Sequence, residues 1–456
     1  MAQENVKFEH LLGLLENKNY SEFMRAIDEL QSANAAEFFA EIPEEKQLAV
    51  FRMFKKDLAA EIFAELDSDV QERIITAATD TEISTMIEEL YVDDAVDMLE
   101  ELPANLVKKI LKVAKPDTRA LINKFLSYPE NSAGSVMTSE LIHLKKDMTV
   151  EQAVDYIRKN GVDKETVYTA YVTNSSRVLE GTVQLRQLLF AEKDTKIEDI
   201  MNTDIVCAAT HDDKEEVAAL ISKYDMLVLP IVDAEQRLVG IVTVDDAIDV
   251  IEEAATEDIE MMNAITPTDK PYLRTGVLET FTKRFPWLLF LMISATFTGQ
   301  IIASFETALA AFPMLIAFIP MLMGTGGNCG GQSSVSIIRG LALDEIRMGD
   351  ILRVVWKEFR VAILCGAILS VCNYVKILLV DNLIFGNGID PLSALVVSVT
   401  LLVTVIVSKV IGCSLPIVAK RIGFDPAVMA SPFITTIVDA VSLMIYFGFA
   451  AVILKI

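Results

Sequence analysis

Cysteine and histidine are scarce in this chain. Its 456 residues include five cysteines and three histidines, and no two of the cysteines form a Cys-x-x-Cys pair. This pattern argues against a disulfide framework and against a zinc site. All three histidines fall in the first half of the chain, so the later apolar half has no obvious nucleophile–base pair. That absence argues against an intramembrane enzyme.

Basic charge is also in short supply, with 65 acidic against 40 basic residues and a net charge of −25. From Phe285 to the end there are nine acidic and ten basic residues, which leaves 56 acidic and 30 basic residues before it. A strongly acidic first half argues against nucleic acid or an anionic membrane surface as a partner. It favours cations as partners, or serves only solubility.

The N-terminus has no basic start followed by an apolar run, so we expect no signal peptide and a cytosolic first half. Residues 1–130 are helical in pattern, with apolar residues at three- and four-residue spacing. The segments AEFFAEIP, AEIFAELD, TMIEELYV and VDMLEELP repeat with steps of 24, 24 and 12 residues. A 24-residue period predicts two short helices per unit, stacked as a small α-solenoid.

Residues 131–198 and 199–256 echo each other, each as strand, helix, strand, turn, strand and helix. SVMTSELIHLKKDMTVEQAVDYI resembles DIMNTDIVCAATHDDKEEVAALI. The last predicted strand of each half contains a Gly-x-Val sequence, at Gly181 and at Gly240. The pattern resembles a tandem pair of CBS domains, which implies ligand sensing and, in many members, binding of adenine nucleotides such as ATP. Thr243 and Asp246 match the nucleotide-binding Thr and Asp, whereas Gln184 and Gln187 replace them in the first half.

An acidic helix is predicted to connect this pair to the rest, over residues 250–275, until Pro267 and Pro271 end it. Asp246, Asp249 and Glu253 share one face of that helix by their spacing. A solvated acidic surface is the alternative interpretation.

Five apolar runs are each long enough to cross a bilayer. Basic residues fall in every second connection, which predicts a cytosolic N-terminal half and an external C-terminus. Pro286 is expected near the start of the first span. The predicted membrane domain covers 276–456, with spans at 285–305, 312–338, 359–380, 391–419 and 426–454.

The last span carries one charge, Asp439, thirteen residues from one end and fifteen from the other. A carboxylate near the bilayer centre costs about 2.5–3.5 kcal/mol and usually faces an ion, water or a partner. Ser431 and Thr435 precede it at helical spacing and give a stripe of oxygens, which suits Mg²⁺, Ca²⁺ or Mn²⁺. The alternative is a structural ion pair between Asp439 and Lys409 or Lys376.

The second span contains GTGGNCGGQ, where glycines permit close helix contact or an unwound backbone. Asn328 and Gln332 share one face and offer neutral oxygens. Helix packing alone is the competing interpretation. A phosphate-binding loop is excluded because no Walker lysine follows.

With its acidic helical domain, CBS pair, acidic connecting helix and the motifs GTGGNCGGQ and DP…IVDA, the chain resembles the MgtE family of magnesium channels. The resemblance implies a homodimer in the plasma membrane with a Mg²⁺-selective pore between subunits, Asp439 at the ion, and a connecting helix that plugs the pore. It also implies that cytosolic Mg²⁺ bound by acidic residues closes the channel. The implied regulatory ligands are Asp246, Asp249, Glu257, Asp258, Asp225, Asp93, Asp97 and Glu61; the implied pore residues are Asp439, Asn328, Ser431 and Thr435. Ser431 stands where an amide is expected in the family, and Thr435 where a small residue is expected.

The expected fold is therefore a multidomain membrane protein, with an α-helical solenoid, tandem α/β CBS domains, an acidic connecting helix and five transmembrane helices. The expected function is Mg²⁺ uptake gated shut by cytosolic Mg²⁺. The alternative is a nucleotide-regulated transporter of another divalent cation, Mn²⁺, Co²⁺ or Ca²⁺.

Overall fold

The computed structural model describes residues 2–162, 164–268, 272, 275–306, 310, 312–343, 345–429 and 431–454. The side chains of residues 2–7, 429 and 431 lie outside this description. The chain forms two compact units, residues 1–251 and 252–456, and each is described by itself.

The first unit begins with a stack of short helices, as the repeat predicts. Helices α5 to α10 begin twelve residues apart, so a pair of helices occupies the predicted 24 residues. Pro43 and Pro103 are the N-caps of two of these helices, and Pro116 is the first residue of a third. The helices are α1 (Ala2–Glu16), α2 (Tyr20–Asp28), α3 (Ser32–Glu41), α4 (Glu44–Phe51), α5 (Lys56–Ala64), α6 (Ser68–Ala77), α7 (Asp80–Glu89), α8 (Val92–Glu101), α9 (Ala104–Val113) and α10 (Pro116–Phe125).

The repeated Ile and Leu residues end these helices. Ile42, Leu90 and Leu102 are C-caps whose extended backbone turns the chain into the next helix while the side chain stays buried or partly buried. Fully buried aromatic side chains, including Phe38 and Phe63, fill the centre of the stack. The repeat is therefore a packing repeat, in which each turn buries an aliphatic side chain under the next helix.

The two α/β halves follow with the same element order. In each half, a short strand pairs in parallel with a longer strand, which pairs antiparallel with the last strand. The first half contains β1 (His143–Leu144), α11 (Val150–Asn160), β2 (Thr169–Thr173), β3 (Leu179–Gln184) and α12 (Leu185–Phe190). After the short α13 (Ile197–Ile200), the second half contains β4 (Ala208–Ala209), α14 (Lys214–Lys223), β5 (Val228–Val232), β6 (Leu238–Thr243) and α15 (Val244–Met262).

The acidic helix α15 is shorter than predicted, because it ends at Met262 rather than continuing to residue 275. Ala264 has a positive φ of 56°, which breaks the helical backbone. The residue before Pro267 also disfavours helical geometry, so the chain leaves the helix before the proline. Pro271, the other predicted helix end, lies outside the described residues.

The second unit contains five helices long and apolar enough to span a membrane within its described residues, as predicted. They are α16 (Val277–Ser304), α17 (Ile319–Ala342) after a 3₁₀ turn (Pro313–Phe318), α18 (Ile351–Lys376) with a π-helical continuation (Ile377–Ile384), α19 (Pro391–Arg421) and α20 (Ser431–Leu454). The domain boundaries drawn from the sequence stay predictions.

Two details of these spans differ from the sequence expectation. Pro286 lies inside α16, because the helix begins at Val277 in the charged flank and not at the start of the apolar run. The last helix begins at Ser431, so Asp425 does not sit at its N-terminus. Instead, the Asp425 carboxylate accepts a hydrogen bond from the Ala427 amide at 2.7 Å and closes a short turn.

The glycines of α17 permit very close helix contacts. A Cβ atom on Gly412 of α19 would lie 2.2 Å from the Gly330 carbonyl oxygen, so only glycine fits at this crossing. On another side, Gly326, Gly327 and Gly330 meet side chains of α20, including Thr435 and Val438. Helix α17 is thus wedged between α19 and α20.

Candidate functional site: an intramembrane carboxylate and an acidic cluster

Asp439 lies about two turns after the start of α20 and is partly buried. Its Oδ1 atom is shielded from solvent and has no hydrogen-bond partner among the described residues. A shielded carboxylate oxygen without a partner is costly in an apolar surrounding, and such groups require an explanation. A cation or ordered water at this oxygen would satisfy it.

The two lysines that could have neutralised Asp439 are engaged elsewhere. Lys409 Nζ lies 3.6 Å from Glu358 Oε2, and Lys376 Nζ lies 2.8 Å from Asp381 Oδ2. The structure thus pairs each lysine with another acid. This argues against the alternative in which Asp439 forms a structural ion pair with one of them.

The other predicted pore residues lie on α20 and on α17. Thr435 lies one turn before Asp439 and faces Gly327, where an added Cβ atom would be 3.0 Å from Thr435 Cγ2. Asn328 and Gln332 are exposed on the surface of α17, one turn apart. The side chain of Ser431 lies outside the described residues.

Gly324, Asn328, Gln332 and Ser336 form an exposed stripe along α17, since each is four residues from the next. Amide side chains that face lipid are expensive, whereas water or a second protein surface can satisfy them. The stripe therefore suits contact with water or a second protein surface better than contact with lipid.

An acidic cluster forms within the first unit, where α8 meets residues of the α/β halves. Asp93 is only 8% exposed, and its Oδ1 atom has no hydrogen-bond partner among the described residues. Asp246 accepts hydrogen bonds from the amide and hydroxyl of Thr243, which fix its carboxylate at the start of α15. The carboxylates that act electrostatically on one another here are Glu65, Asp93, Asp94, Glu140, Glu165, Asp245, Asp246 and Asp249.

Burial, together with the charge of neighbouring acids, raises the pKa values of several members of the cluster. Burial, then Asp245, Asp246, Asp94 and Glu140, raises the pKa of Glu165 to about 7. Burial, then Asp246, Glu65, Asp245 and Glu140, raises the pKa of Asp94 to about 6. Burial is also the main cause that raises the pKa of Asp93 well above its usual value. The compact first unit thus holds negative charges together at a cost in free energy.

The sequence predicted part of this cluster. Asp93, Asp246 and Asp249 belong to it. Asp97 lies one turn after Asp93 on α8, Glu61 lies on α5, and both are exposed. Asp225 lies exposed in the turn after α14, with a positive φ of 51°, and does not take part in the cluster.

The members that the sequence reasoning missed are Glu65, Asp94, Glu140, Glu165 and Asp245. Asp94 and Asp245 adjoin predicted residues and could have been found by their position on the same helix turns. Glu140 and Glu165 come from non-helical segments of the first α/β half, linked by a 3.0 Å hydrogen bond from the Glu165 amide to the Glu140 carbonyl. No sequence spacing relates those segments to α8.

A second acidic contact lies within the second unit. Burial, then the charges of Asp425 and Glu257, raises the pKa of Asp258 to about 6, so Asp258 and Asp425 lie within electrostatic range of each other. Beside them, Met261 and Met262 at the end of α15 pack on Ile338 and on Ala427. The predicted residues Glu257 and Asp258 are thus next to the turn that precedes α20.

No three acidic, histidine or cysteine side chains among the described residues are close enough to ligate one metal ion directly. Mg²⁺ keeps much of its water shell and binds through one or two carboxylates, so paired acids such as Asp258 and Asp425 fit a hydrated Mg²⁺. They fit softer metals poorly, because thiolate and imidazole ligands are not part of either acidic group.

A polar pocket of about 510 Å³ lies in the first α/β half. It is lined by Thr182, Gln184, Arg186, Gln187, Phe190 and Asn202. Its basic and aromatic side chains suit a phosphate and a base, whereas Thr243 and Asp246 face the acidic cluster. A phosphate group at Asp246 would meet like charge.

Comparisons with known proteins agree with this architecture. The divalent cation transporter family MgtE matches residues 319–449, the MgtE intracellular N domain matches residues 7–131, and CBS domains match residues 133–194 and 197–253.

Whole-chain relatives are similar over nearly their full length. A magnesium transporter MgtE from Thermus thermophilus is 35% identical over 433 residues, 94% of each chain, and one from Bacillus subtilis is 34% identical over 96% of this chain and 95% of its own. The solved soluble part of a magnesium transporter is similar with a TM-score of 0.53 and 30% identity, over 55% of this chain and 99% of that one. The cytosolic domain of the Mg²⁺ channel MgtE in complex with ATP is similar with a TM-score of 0.50 and 33% identity, over 53% and 98%.

The raised pKa values predict how stability depends on pH. An acid whose pKa is raised in the folded state binds its proton more tightly there, so the compact first unit gains stability as pH falls. We expect the melting temperature without Mg²⁺ to rise as pH is lowered from about 8 to about 5.5, through the pKa values of Glu165 and Asp94. Added Mg²⁺ should raise it more at pH 8 than at pH 5.5, because protons and Mg²⁺ compete.

The measurement is differential scanning fluorimetry of the purified full-length protein, with Glu165→Gln as the variant that flattens the pH response. A melting temperature that rises with pH over this range without Mg²⁺, or a Mg²⁺-induced increase that is larger at pH 5.5 than at pH 8, contradicts the prediction.

Proposed function

We propose that this chain, which belongs to the MgtE family of divalent cation transporters, conducts Mg²⁺ into the cell and is closed by Mg²⁺ on its cytosolic side. The observation that carries the proposal is the shielded, unpaired Oδ1 atom of Asp439 inside a helix that carries no other charged residue. The names of its full-length relatives, magnesium transporters, support Mg²⁺ as the transported ion.

At Asp439, one carboxylate joined by neutral oxygens is a modest ligand set. That set suits an ion that keeps its water, and weak binding allows the ion to leave again. Thr435 lies one turn away, and Asn328 and Gln332 carry amides on the exposed face of α17. Ser431 would add a hydroxyl at the same spacing.

The exposed polar stripe on α17 supports a homodimer. In a single chain this stripe would face lipid, where the amides of Asn328 and Gln332 would be unsatisfied. A two-fold arrangement that joins two such faces would enclose a polar path and bring two copies of Asp439 to it.

The acidic groups supply a gate. Without Mg²⁺, mutual repulsion in the acidic cluster opposes the compact form of the first unit, and Mg²⁺ between the carboxylates reverses that balance. Helix α15 runs from the cluster residue Asp246 to Asp258 and Met262, which lie beside the turn that precedes α20. We infer that α15 carries the change to the pore, as the plug-like helix of this architecture.

The basic residues of alternate connections support an orientation with the soluble half in the cytosol and the C-terminus outside, in the plasma membrane. Inward flux of a divalent cation then gains about 2.3 kcal/mol per charge for each 100 mV of membrane potential. The gate gives negative feedback on cytosolic Mg²⁺.

An adenine nucleotide is the second ligand that the structure favours. Because Asp246 belongs to the acidic cluster, we infer that ATP would bind in the pocket lined by Arg186 and Phe190 rather than at Thr243 and Asp246. The similar cytosolic domain solved with ATP supports nucleotide binding by such a CBS pair.

Conversion of Asp439 to Asn should lower Mg²⁺ flux at least about tenfold, which corresponds to about 1.4 kcal/mol, because the ion loses its charged ligand. The assay is Mg²⁺ uptake into proteoliposomes, repeated with Mn²⁺, Co²⁺ and Ca²⁺. Asp381→Asn is the matched control, since Asp381 is an intramembrane acid with a lysine partner. Wild-type flux in Asp439→Asn would refute the pore assignment, and flux of another cation in preference to Mg²⁺ would favour the alternative transporter.

Conversion of Glu165 to Gln should weaken the inhibition of flux by cytosolic Mg²⁺. We expect the ratio of flux without cytosolic Mg²⁺ to flux with it to be about threefold smaller than in the wild type. The variant removes repulsion from the compact form and also removes a group that Mg²⁺ neutralises. Flux is compared with and without Mg²⁺ on the cytosolic face, and Glu151→Gln, an exposed acid paired with Lys193, serves as control. An unaltered Mg²⁺ response in Glu165→Gln would remove this residue from the sensor.

Conversion of Arg186 to Ala should weaken ATP binding about tenfold by removing a charged phosphate contact. Isothermal titration of the full-length protein measures this, with the exposed Arg158→Ala as control. If Asp246→Asn weakened ATP binding and Arg186→Ala did not, the nucleotide site would lie at Thr243 and Asp246 instead.

A further inference from the structure

Three polar side chains form a buried network inside the helix bundle, apart from Asp439. Lys409 Nζ donates a hydrogen bond to Ser333 Oγ at 3.2 Å, and Ser333 Oγ donates one to Glu358 Oε2 at 2.6 Å. Lys409 is 6% exposed, and the side chain of Glu358 is 14% exposed. The network therefore joins α17, α18 and α19 through groups that lipid and water scarcely reach.

The network lies beside the glycine crossing. Ser333 is three residues after Gly330, and Lys409 is three residues before Gly412, so each lies on the same helix face as the glycine next to it. A contact between glycine backbones has no side chains that interlock. It allows close approach, and hydrogen bonds beside it add a directional constraint on the rotation of the two helices.

The rotation of α17 decides where its exposed amides point. Asn328 and Ser333 are five residues apart, which places them roughly 140° from each other around the helix. A polar network that fixes Ser333 toward α18 and α19 therefore also fixes Asn328 on the opposite, exposed side. Buried polar groups are best attested as devices that select one register.

We propose that Lys409, Ser333 and Glu358 are positioning residues for ion selection, which lock the rotation of α17 and so place the Asn328 amide relative to Asp439. The inference rests on the proposed Mg²⁺ conduction. It assigns to the buried ion pair a part in discrimination between cations rather than in folding alone.

The chain offers a matched control. Lys376 and Asp381 form a second ion pair in the membrane helices, at 2.8 Å, but the side chain of Lys376 is 46% exposed and neither residue lies beside the Gly330–Gly412 crossing. A general effect of losing a membrane ion pair would affect both pairs alike.

The experiment compares Mg²⁺ and Ca²⁺ flux through full-length protein in proteoliposomes. The variants are Ser333→Ala, which keeps both charges, the neutral double variant Lys409→Met/Glu358→Gln, and the control Lys376→Met/Asp381→Asn. We expect the Mg²⁺-to-Ca²⁺ flux ratio to fall about fivefold or more in the first two and to stay at the wild-type value in the control. Size-exclusion profiles and melting temperatures report whether each variant is folded.

An unchanged ratio in folded Ser333→Ala overturns the proposal, also when both fluxes fall together, because a purely structural role lowers flux without altering selectivity. If the double variant does not fold, Ser333→Ala decides alone. A fall in the ratio of the control as large as in the other variants overturns it as well. Absence of Mg²⁺ flux in the wild-type protein would instead refute the proposed function.

Discussion

Inside the membrane helices, lysine charges are balanced by acids of the same bundle. Lys409 is matched by Glu358 and Lys376 by Asp381, and both pairs are held within hydrogen-bonding or ion-pair distance. This matching leaves the Asp439 Oδ1 atom without a partner in the described part of the bundle. An apolar bundle tolerates such an oxygen only if water, a polar group or a cation binds to it. The unpaired charge of Asp439 therefore fits the transport of a cation.

The soluble half uses the opposite strategy, because it concentrates charge of one sign. Burial, followed by the charges of neighbouring acids, raises the pKa values of Asp94 and Glu165, so keeping these carboxylates ionised destabilises the compact first unit. That destabilisation has a use in a sensor. A preformed, relaxed site would bind Mg²⁺ without changing the balance between conformations, whereas carboxylates that repel each other only when close make the compact form depend on the ion.

The sequence predicted the architecture well where periodicity is strong. The 24-residue repeat predicted the paired helices, the internal echo predicted the two α/β halves, and five apolar runs predicted five long helices. Helix ends were predicted less well, since Pro286 lies within α16 and α15 stops at Met262. Candidate site residues were likewise predictable only where a local sequence pattern marks them. Asp439 was visible as a lone charge in an apolar run, but Glu140 and Glu165 reach the acidic cluster through tertiary packing that no local pattern encodes.

The same reasoning explains why the glycine motif could not be interpreted from the sequence alone. Packing and ion binding were both consistent with GTGGNCGGQ, and the structure shows that the two roles fall on different faces of one helix. Gly326 and Gly330 bring α17 against α19 and α20, while Asn328 stays exposed on the far side. Close packing is therefore a condition for the polar face rather than its competitor, because a helix held on two sides by backbone contacts can present amides to a third without moving. Ser333, hydrogen-bonded to Lys409 and Glu358, adds a polar contact that restricts the rotation of α17.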